Sequence, residues 1–239
     1  MANVRSAMVM AAGLGTRMRP LTNDRPKPLV EVAGKTLLDH CLDQLRAADI
    51  GKIVVNVHYL PEQVEAHLAA YAQDFDVHVS DEREMLLETG GGLVKAAPFL
   101  PDEPFYCVNS DNIWIDKGEN SLCKLAALWD DAAMDALLLI VPRERAHCHP
   151  GRGDFFVDQD GRLQRRGIHN FAPFVYIGIQ LISHRLLAGA PGGPFSTNML
   201  WDRAIAKGRL FGLEHEGDWF DIGSPQAIPP TEAALGADA

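Results

Sequence analysis

The chain has 239 residues, 47% of them hydrophobic, and this length and composition suit one α/β domain, residues 1–239, with a sizeable core. The formal net charge of −10 at pH 7 opposes a broad basic face for nucleic acid or an anionic membrane surface. The four cysteines are too few and too irregularly spaced for a disulfide framework, and residues 1–6 contain no long apolar stretch. We therefore expect a cytoplasmic protein without nucleic-acid or membrane partners.

The first half of the chain alternates between apolar runs and segments with helical spacing of apolar residues. Buried strands are predicted at residues 6–12, 53–57, 75–79 and 105–108. Helices are predicted at residues 37–48, from residue 61 onward, and at residues 91–97. This βαβ alternation predicts a largely parallel sheet, whose carboxyl edge is the usual place for a ligand.

The pattern changes in the second half, after Pro142. Before it, Ser121 is expected to cap a helix, and residues 136–141 are typical of a further buried strand. After it, strands are predicted at residues 154–158, 162–166 and 173–182, then a helix at 199–207, a strand at 210–215 and a closing helix at 225–235. We expect the first three of these strands to be antiparallel and to lie over the carboxyl edge of the sheet.

The loop after the first predicted strand, residues 13–28, combines glycines with basic residues. Glycine lets backbone N–H groups approach phosphate oxygens closely, because no Cβ stands in the way. The loop lacks the P-loop pattern, and Met18 replaces the third glycine of a dinucleotide-binding turn. Further along, Pro26 and Pro28 flank Lys27 and hold it in a stiff segment. A fixed cation beside a phosphate-binding turn indicates phosphoryl-transfer chemistry.

Residues 11–22 (AAGLGTRMRPLT) with residues 26–29 (PKPL) resemble the signature of sugar-1-phosphate nucleotidyltransferases. The resemblance continues through residues 88–92 (ETGGG), 109–111 (NSD) and 219–224 (WFDIGS) and covers nearly the whole chain. It implies a single three-layer α/β/α Rossmann-like domain with a mixed, mostly parallel sheet. It also implies a nucleotide-binding half at about residues 1–112 and a sugar-phosphate-binding half at about residues 113–235.

The same resemblance implies the roles of individual residues. Asp111 and Asp221 would bind Mg²⁺, a hard cation for which two carboxylates, phosphate and water suffice. Arg17, Lys27 and Asp111 are the implied catalytic residues, with Arg17 gripping the triphosphate and Lys27 neutralising charge on the transferring phosphorus. The implied nucleotide-binding residues are Ala11, Ala12, Gly13, Gly15, Thr16, Arg17, Glu88, Gly91 and Asn109.

The sugar side departs from larger family members, because no Glu-Lys-Pro element occurs between Arg143 and Pro173. Residues 151–155 (GRGDF) stand there instead, as in the short bacterial branch that makes UDP-N-acetylmuramic acid in cell-wall recycling. This resemblance implies UTP and N-acetylmuramic acid 1-phosphate as substrates, and sugar contacts from Gly153, Asn170 and Gly178.

Two other functions stay open at this point: a mannose-1-phosphate guanylyltransferase, and a catalytically silent sensor of nucleotide sugars. The sequence leaves the base, the sugar and the oligomeric state open, and we expect a monomer or a small homo-oligomer. The run His147-Cys148-His149 is interpreted as an ordinary loop, because adjacent residues can hardly converge on one tetrahedral metal ion.

Overall fold

The computed structural model describes residues 2–101 and 104–237. Within them the strands are β1 (Ser6–Met10), β2 (Glu31–Val32), β3 (Lys35–Thr36), β4 (Lys52–Val57), β5 (Asp76–Asp81), β6 (Phe105–Asn109), β7 (Asn112–Ile115), β8 (Ala136–Pro142), β9 (Ala146–His147), β10 (Phe155–Val157), β11 (Leu163–Arg165), β12 (Phe174–Ile182), β13 (Leu210–Glu214) and β14 (Asp218–Asp221). The α-helices are α1 (Leu37–Ala47), α2 (Pro61–Leu68), α3 (Glu88–Ala96), α4 (Ser121–Leu128), α5 (Asn198–Ala206) and α6 (Ile228–Ala237).

Nine strands form one mixed sheet. Strands β5, β4, β1 and β6 are parallel neighbours, while β12 is antiparallel to β6 on one side and to β8 on the other. Strand β13 extends the sheet parallel to β8, and β10 and β11 continue from the start of β12. The prediction of a mixed, mostly parallel sheet is therefore confirmed.

The position of β12 differs from the prediction that it would lie over the carboxyl edge, because it lies inside the sheet. Its side chains explain this position. Ile179 and Leu181 are buried on one face of the sheet and Ile182 on the other. A strand with apolar side chains on both faces buries the most apolar surface when it lies in the middle of a sheet that helices cover on each side.

Helices cover both faces of the main sheet, which gives the three layers expected from the sequence. Alternate residues of each strand enter different cores: Ile53 and Val55 face one side, and Val54 faces the other. The first core also contains buried residues of α1, α2 and α4, and the second contains buried residues of α3 and α5. None of the helices among the described residues is both long and apolar enough to cross a bilayer.

Two predicted helix starts were wrong. Helix α4 is capped by the Asn120 side chain, which accepts hydrogen bonds from the backbone N–H groups of Leu122 at 2.8 Å and Cys123 at 3.4 Å. Ser121, the predicted cap, is the first helical residue. Helix α3 begins at Glu88, which adopts a φ of 57°, rather than at Gly91. The glycines predicted at the start of this helix therefore lie inside it.

A second, three-stranded sheet joins distant parts of the chain in the order β7-β14-β9. The sequence did not predict its strands. The antiparallel ladder sets Asp221 opposite Asn112 and Asp218 opposite Ile115. Phe220 packs with Ile113 and with Met18 in a third core beneath the glycine loop. This small sheet therefore brings the end of β14 beside the end of β6.

Candidate active site

The glycine loop follows β1 at the carboxyl edge of the sheet, and a cavity of about 230 Å³ opens beside it. The main-chain segments that line the cavity include the ends of β1 and β6 and the start of α3. Its lining residues are Met10, Ala11, Ala12, Gly13, Lys27, Pro28, Asn56, Leu86, Glu88, Thr89, Asn109, Ser110 and Asp111. We call it the first cavity. Sequence analysis selected most of these positions and missed Asn56.

Gly15 has a conformation and a position that exclude other residues. Its φ is 63°, and a Cβ at this position would lie 3.0 Å from the Cβ of Lys27. The Thr22 hydroxyl donates a hydrogen bond to the Gly15 carbonyl at 2.8 Å and so closes the loop on itself. The absence of a side chain at Gly15 therefore allows the loop to pack directly against the segment that carries Lys27.

Lys27 and Asp111 form an ion pair at the mouth of the first cavity. Lys27 Nζ lies 2.6 Å from Asp111 Oδ2, and the lysine side chain is 9% exposed while the aspartate is 34% exposed. Next to Asp111, Ser110 donates its hydroxyl hydrogen to the Met10 carbonyl at 2.7 Å. Ser110 thus ties the end of β6 to the end of β1. The pair leaves Asp111 Oδ1 without a hydrogen-bond partner among the described residues.

Asp221 joins this site through the small sheet. It lies opposite Asn112, the residue after Asp111, and its Oδ2 accepts a hydrogen bond from His149 Nδ1 at 2.9 Å. The described residues contain no group of three or more His, Cys, Asp or Glu side chains that could hold a metal ion. Two carboxylates with free oxygens nevertheless fit Mg²⁺, which is often bound by one or two carboxylates, substrate phosphates and water.

Arg17 lies at the other side of the loop, in an adjoining cavity of about 300 Å³ that also contains Lys27, Asp111 and Gly223. A Cβ at Gly223 would lie 3.2 Å from Arg17 Nη1 and 3.0 Å from Asp221 Oδ1. Among the described residues Arg17 forms no ion pair. An exposed guanidinium without a carboxylate partner is available to an anionic ligand.

The glycine run of α3 serves packing as well as the cavity. A Cβ at Gly90 would lie 2.3 Å from the Phe195 ring, and one at Gly91 would lie 2.4 Å from the Gly193 carbonyl oxygen. Gly91 is buried and does not line the first cavity, whereas Glu88 and Thr89 do. The run therefore lets the segment around Phe195 approach the helix, and the role of Gly91 in nucleotide binding stays a prediction.

Two buried polar residues that the sequence analysis missed hold the first cavity in shape. Asn56 Oδ1 accepts a hydrogen bond from the Ala11 backbone at 2.7 Å, and its Nδ2 donates to Glu82 Oε1 at 2.8 Å. Glu82 Oε2 in turn accepts from the Leu87 backbone at 3.0 Å. A polar residue inside the apolar run of β4 was the available signal for Asn56.

A second cavity, of about 320 Å³, adjoins the first and shares Met10, Thr89 and Asn109 with it. The rest of its wall comes from Cys107, Asp154, Phe155, Arg165, Tyr176, Gln180, Ser196, Thr197, Asn198 and Trp201. None of these ten residues was named individually as a site residue from the sequence, although Asp154 and Phe155 belong to residues 151–155, which stood out there. The others come from several distant segments without a short motif. The second cavity is thus the largest omission of the sequence analysis.

Side chains of the second cavity are held by contacts with one another. The Trp201 indole donates to Gln180 Oε1 at 2.9 Å and packs edge-on against Tyr176. The Arg165 guanidinium lies 5.4 Å from the Trp201 ring and donates to Asp202 Oδ1 at 2.7 Å. Burial raises the pKa of Cys107 to about 12, although a hydrogen bond with Gln180 acts in the opposite direction. The Cys107 thiol is therefore neutral near pH 7.

The three residues predicted to contact the sugar do not line the second cavity, although Gly153 precedes the lining residue Asp154 and Gly178 lies between Tyr176 and Gln180. Gly178 occupies an irregular part of β12 with a φ of 83°, where a Cβ would lie 2.2 Å from Asn112 Nδ2. Gly153 has a φ of 81°, and a Cβ there would lie 2.0 Å from the Ala172 carbonyl oxygen. Asn170 is exposed in the loop between β11 and β12. Both glycines thus have packing roles, and sugar contacts from all three stay predictions.

Comparison with known proteins identifies the family. A family model described as "Nucleotidyl transferase" matches residues 6–149. The N-acetylmuramate alpha-1-phosphate uridylyltransferase of Caulobacter vibrioides is 45% identical over 232 residues, which are 96% of this chain and 96% of that protein. A mannose-1-phosphate guanyltransferase of Neurospora crassa is 30% identical over 237 residues, covering 92% of this chain and 61% of that protein.

A solved structure has the same fold. The solved structure of the inositol-1-phosphate CTP transferase from T. maritima superposes with a TM-score of 0.81 at 17% identity, covering 99% of this chain and 97% of that one. At this identity the similarity shows the fold alone. Because the family model spans more than half of the chain and a relative is 45% identical over nearly all of it, the chain belongs to the nucleotidyl transferase family.

Proposed function

We propose that this chain transfers the uridylyl group of UTP to N-acetylmuramate α-1-phosphate and releases pyrophosphate. The observation that carries this proposal is the 45% identity to the Caulobacter vibrioides enzyme of that name, which extends over 96% of both chains. The two adjoining cavities support it, because a transfer between two substrates needs both to be held in contact. The product would be UDP-N-acetylmuramate, a nucleotide sugar of peptidoglycan recycling.

The first cavity is the proposed nucleotide site. All of its lining residues lie between Met10 and Asp111, which supports a nucleotide-binding half at residues 1–112. The glycine loop offers backbone N–H groups to phosphate oxygens, and Arg17 and Lys27 supply positive charge on two sides of it. Glu88 at the cavity wall is the proposed partner of the base or ribose.

Mg²⁺ is the proposed cofactor, held by Asp111 and Asp221. Both side chains are partly exposed, and their strands are brought together by the β7-β14 ladder. When bound, Mg²⁺ would neutralise negative charge on the phosphates of both substrates. Lys27 would hold Asp111 in place through its ion pair at 2.6 Å and face the same phosphates.

The second cavity is the proposed sugar-phosphate site, in the half at about residues 113–235 together with the strand ends of the first half. Tyr176 and Trp201 offer aromatic surface to a sugar ring, and Asp154 offers a carboxylate to hydroxyl groups. The Arg165 guanidinium lies in this wall, where Nε donates to Asp202 Oδ1 and Nη2 to the Asn198 carbonyl, which leaves Nη1 without a hydrogen-bond partner among the described residues. N-acetylmuramate carries a carboxylate that glucosamine and mannose lack, so a guanidinium here suits it.

The reaction needs no covalent enzyme intermediate. A phosphate oxygen of the sugar 1-phosphate would attack the α-phosphorus of UTP in line, and the bond from that phosphorus to the bridging oxygen would break, so that pyrophosphate leaves. Cys107, which lines the second cavity, is buried with a raised pKa of about 12 and offers no thiolate. The chain's own residues bind, orient and neutralise the reacting phosphates.

A mannose-1-phosphate guanylyltransferase is the alternative activity, and the Neurospora crassa relative supports it at 30% identity. That relative is longer, since the match covers 61% of it. A silent sensor is the alternative outside the enzymes. The Lys27–Asp111 pair argues against a sensor, because binding alone does not require a charge network at the point of phosphoryl transfer.

Pyrophosphate release from a matrix of substrates tests the proposal. UTP, GTP, CTP, dTTP and ATP would each be mixed with the 1-phosphates of N-acetylmuramate, N-acetylglucosamine, glucose and mannose. We expect the highest kcat/KM for UTP with N-acetylmuramate 1-phosphate. A preference for GTP with mannose 1-phosphate would replace this activity with the alternative one, and no release from any pair would support the sensor.

Asp111→Asn is the control for this matrix, because it keeps the shape of the side chain and removes the charge proposed for the metal. It should release no pyrophosphate above background in any mixture, while a cooperative melting transition shows that the variant is folded, at a lowered temperature because Lys27 loses its partner. A near-normal rate would contradict the assignment of Asp111.

The cytoplasm is the proposed compartment. All four cysteines are unpaired, which suits a reducing environment.

A further inference from the structure

The run His147-Cys148-His149 has no part in the proposed reaction, yet both histidines contact β14. His147 Nε2 lies 3.0 Å from Asp218 Oδ1, and His149 Nδ1 lies 2.9 Å from Asp221 Oδ2. The two imidazoles therefore contact the two ends of one short strand. One of these ends carries a proposed metal ligand.

The His149 ring is held on several sides. It is 21% exposed and tilts at 54° against the Trp219 ring, with 5.5 Å between the centroids. Gly151 passes beside its far nitrogen, since a Cβ there would lie 2.1 Å from Nε2. Because the Asp221 carboxylate accepts the hydrogen bond, Nδ1 of His149 is the donor.

Because of this hydrogen bond, the two carboxylate oxygens of Asp221 have different surroundings. Oδ2 accepts from His149, whereas Oδ1 lies on the side of Gly223, where a Cβ would be 3.0 Å away. Gly223 lines the cavity that also contains Arg17 and Asp111. Oδ1 of Asp221, which has no hydrogen-bond partner in the described part of the chain, is thus on the side of the phosphate-binding loop.

We propose that His149 is a positioning residue that orients the Asp221 carboxylate for the divalent cation. The inference rests on the proposed function, in which Asp221 is a metal ligand. A carboxylate can rotate about its last bond, and a hydrogen bond to one oxygen fixes the direction of the other. Removal of such an outer partner typically weakens metal binding by about 10–100-fold.

His147 offers a matched control in the same run. It makes the same kind of hydrogen bond to the same strand, but Asp218 lies opposite Ile115, at the far end of the ladder from Asp221. Asp218 also pairs with Lys117 at 3.6 Å and is 35% exposed. Loss of His147 therefore removes one histidine–aspartate contact from β14 without touching the proposed metal ligand.

The test measures Mn²⁺ binding to the purified full chain, by EPR detection of free Mn²⁺ in the absence of substrates. The variants are His149→Ala, His149→Asn, His147→Ala and Asp221→Asn. We expect the Kd for Mn²⁺ to rise at least about tenfold in His149→Ala and to stay within about twofold of wild type in His147→Ala. Asn Nδ2 takes roughly the place of His Nδ1, so His149→Asn should restore binding to within about threefold.

A second readout is the Mg²⁺ concentration that gives half-maximal turnover. It should rise in His149→Ala, while the KM for UTP at saturating Mg²⁺ stays near that of wild type. If His149→Ala does not fold, His149→Phe keeps a ring against Trp219 and cannot donate, so it should show the same loss of Mn²⁺ binding.

Two outcomes overturn the inference and are distinguishable. Wild-type Mn²⁺ affinity in His149→Ala with weakened affinity in Asp221→Asn overturns the inference alone. Wild-type affinity in Asp221→Asn overturns the metal assignment in the proposed function and the inference with it.

Discussion

The two cavities are lined by different kinds of residue, although they share Met10, Thr89 and Asn109. The first combines the backbone and small side chains of residues 11–13 with side chains at the ends of parallel strands and at the start of α3, all between Met10 and Asp111. The second is formed by large side chains from β10, β11, β12 and α5, among them Arg165, Tyr176 and Trp201. Backbone N–H groups suit any triphosphate, whereas side chains can differ from one substrate to another. The comparison suggests that the first cavity serves the chemistry and the second serves selection of the sugar.

Lys27→Met should have the largest effect and tests the chemical half of this comparison. We expect kcat to fall about 10²–10³-fold, because a fixed charge beside the transferring phosphate stabilises the transition state more than the bound substrate. The KM for UTP should change much less. Steady-state pyrophosphate release with UTP and N-acetylmuramate 1-phosphate measures both constants.

Lys35→Met is the matched control, since Lys35 also pairs with an aspartate, Asp43, at 2.7 Å, but its side chain is 56% exposed. An exposed pair of this kind contributes little to stability, and it lies outside the cavities. Equal losses of kcat in both variants would contradict a specific role for Lys27.

Arg165→Gln should have a smaller effect and tests whether the second cavity selects the sugar. The KM for N-acetylmuramate 1-phosphate should rise about tenfold, with kcat and the KM for UTP nearly unchanged, because the lost interaction is the same in the ground state and the transition state. With N-acetylglucosamine 1-phosphate as substrate the change should be smaller, since that sugar has no carboxylate.

Arg162→Gln serves as its control, because Arg162 lies 5.5 Å from the Phe211 ring and outside the second cavity. A tenfold fall in kcat of Arg165→Gln with unchanged KM would place Arg165 in the chemistry and contradict the division between the cavities.

The smallest expected effect is on stability at low pH. It concerns one titratable group in each half of the chain, His215 in the second and Asp39 in the first. Burial lowers the pKa of His215 from 6.5, although Asp116 acts in the opposite direction. Stabilisation present above pH 6.5 is therefore lost as the pH falls through the folded-state pKa. Burial would raise the pKa of Asp39, but hydrogen bonds from Tyr71, His67 and Thr36 outweigh it and lower the pKa to about 2.

Acid should accordingly remove the contribution of His215 before that of Asp39, since Asp39 loses its contribution only below its ordinary value of 3.8. Urea unfolding between pH 8 and about pH 4.5 measures this, and His215→Asn should reduce the fall in unfolding free energy. The exposed His169 supplies the control variant His169→Asn. An unchanged pH dependence in His215→Asn would show that other groups cause the loss.

The sequence predicted the first cavity well for a physical reason. Phosphate binding by backbone requires glycine at defined positions, and Gly15 with its φ of 63° cannot be another residue without strain. Lys27 stood out between Pro26 and Pro28, and the resemblance of residues 109–111 to the family motif implied Asp111. The second cavity has no corresponding sequence motif. In the sequence alone, Tyr176 and Trp201 cannot be distinguished from ordinary core residues, because only the folded chain brings them together.

The strand β14 was missed because its pattern is short and its partners are remote. Trp219 and Phe220 are both buried, on opposite faces, so four residues show no alternation of polar and apolar side chains. The contact of His149 with Asp221 was missed for the same reason, because Asp221 is 72 residues further along the chain. Pairing between distant segments, rather than local propensity, determines this part of the site.

The small sheet has a consequence for how the protein is synthesised. The glycine loop and Asp111 are complete once residue 111 has been made, but β14 ends at Asp221. A nascent or truncated chain lacking β14 would keep the whole matched segment 6–149 and still lack the second proposed metal ligand. The proposed activity would therefore appear only after synthesis has passed Asp221, so that a translation product that stops before β14 is silent.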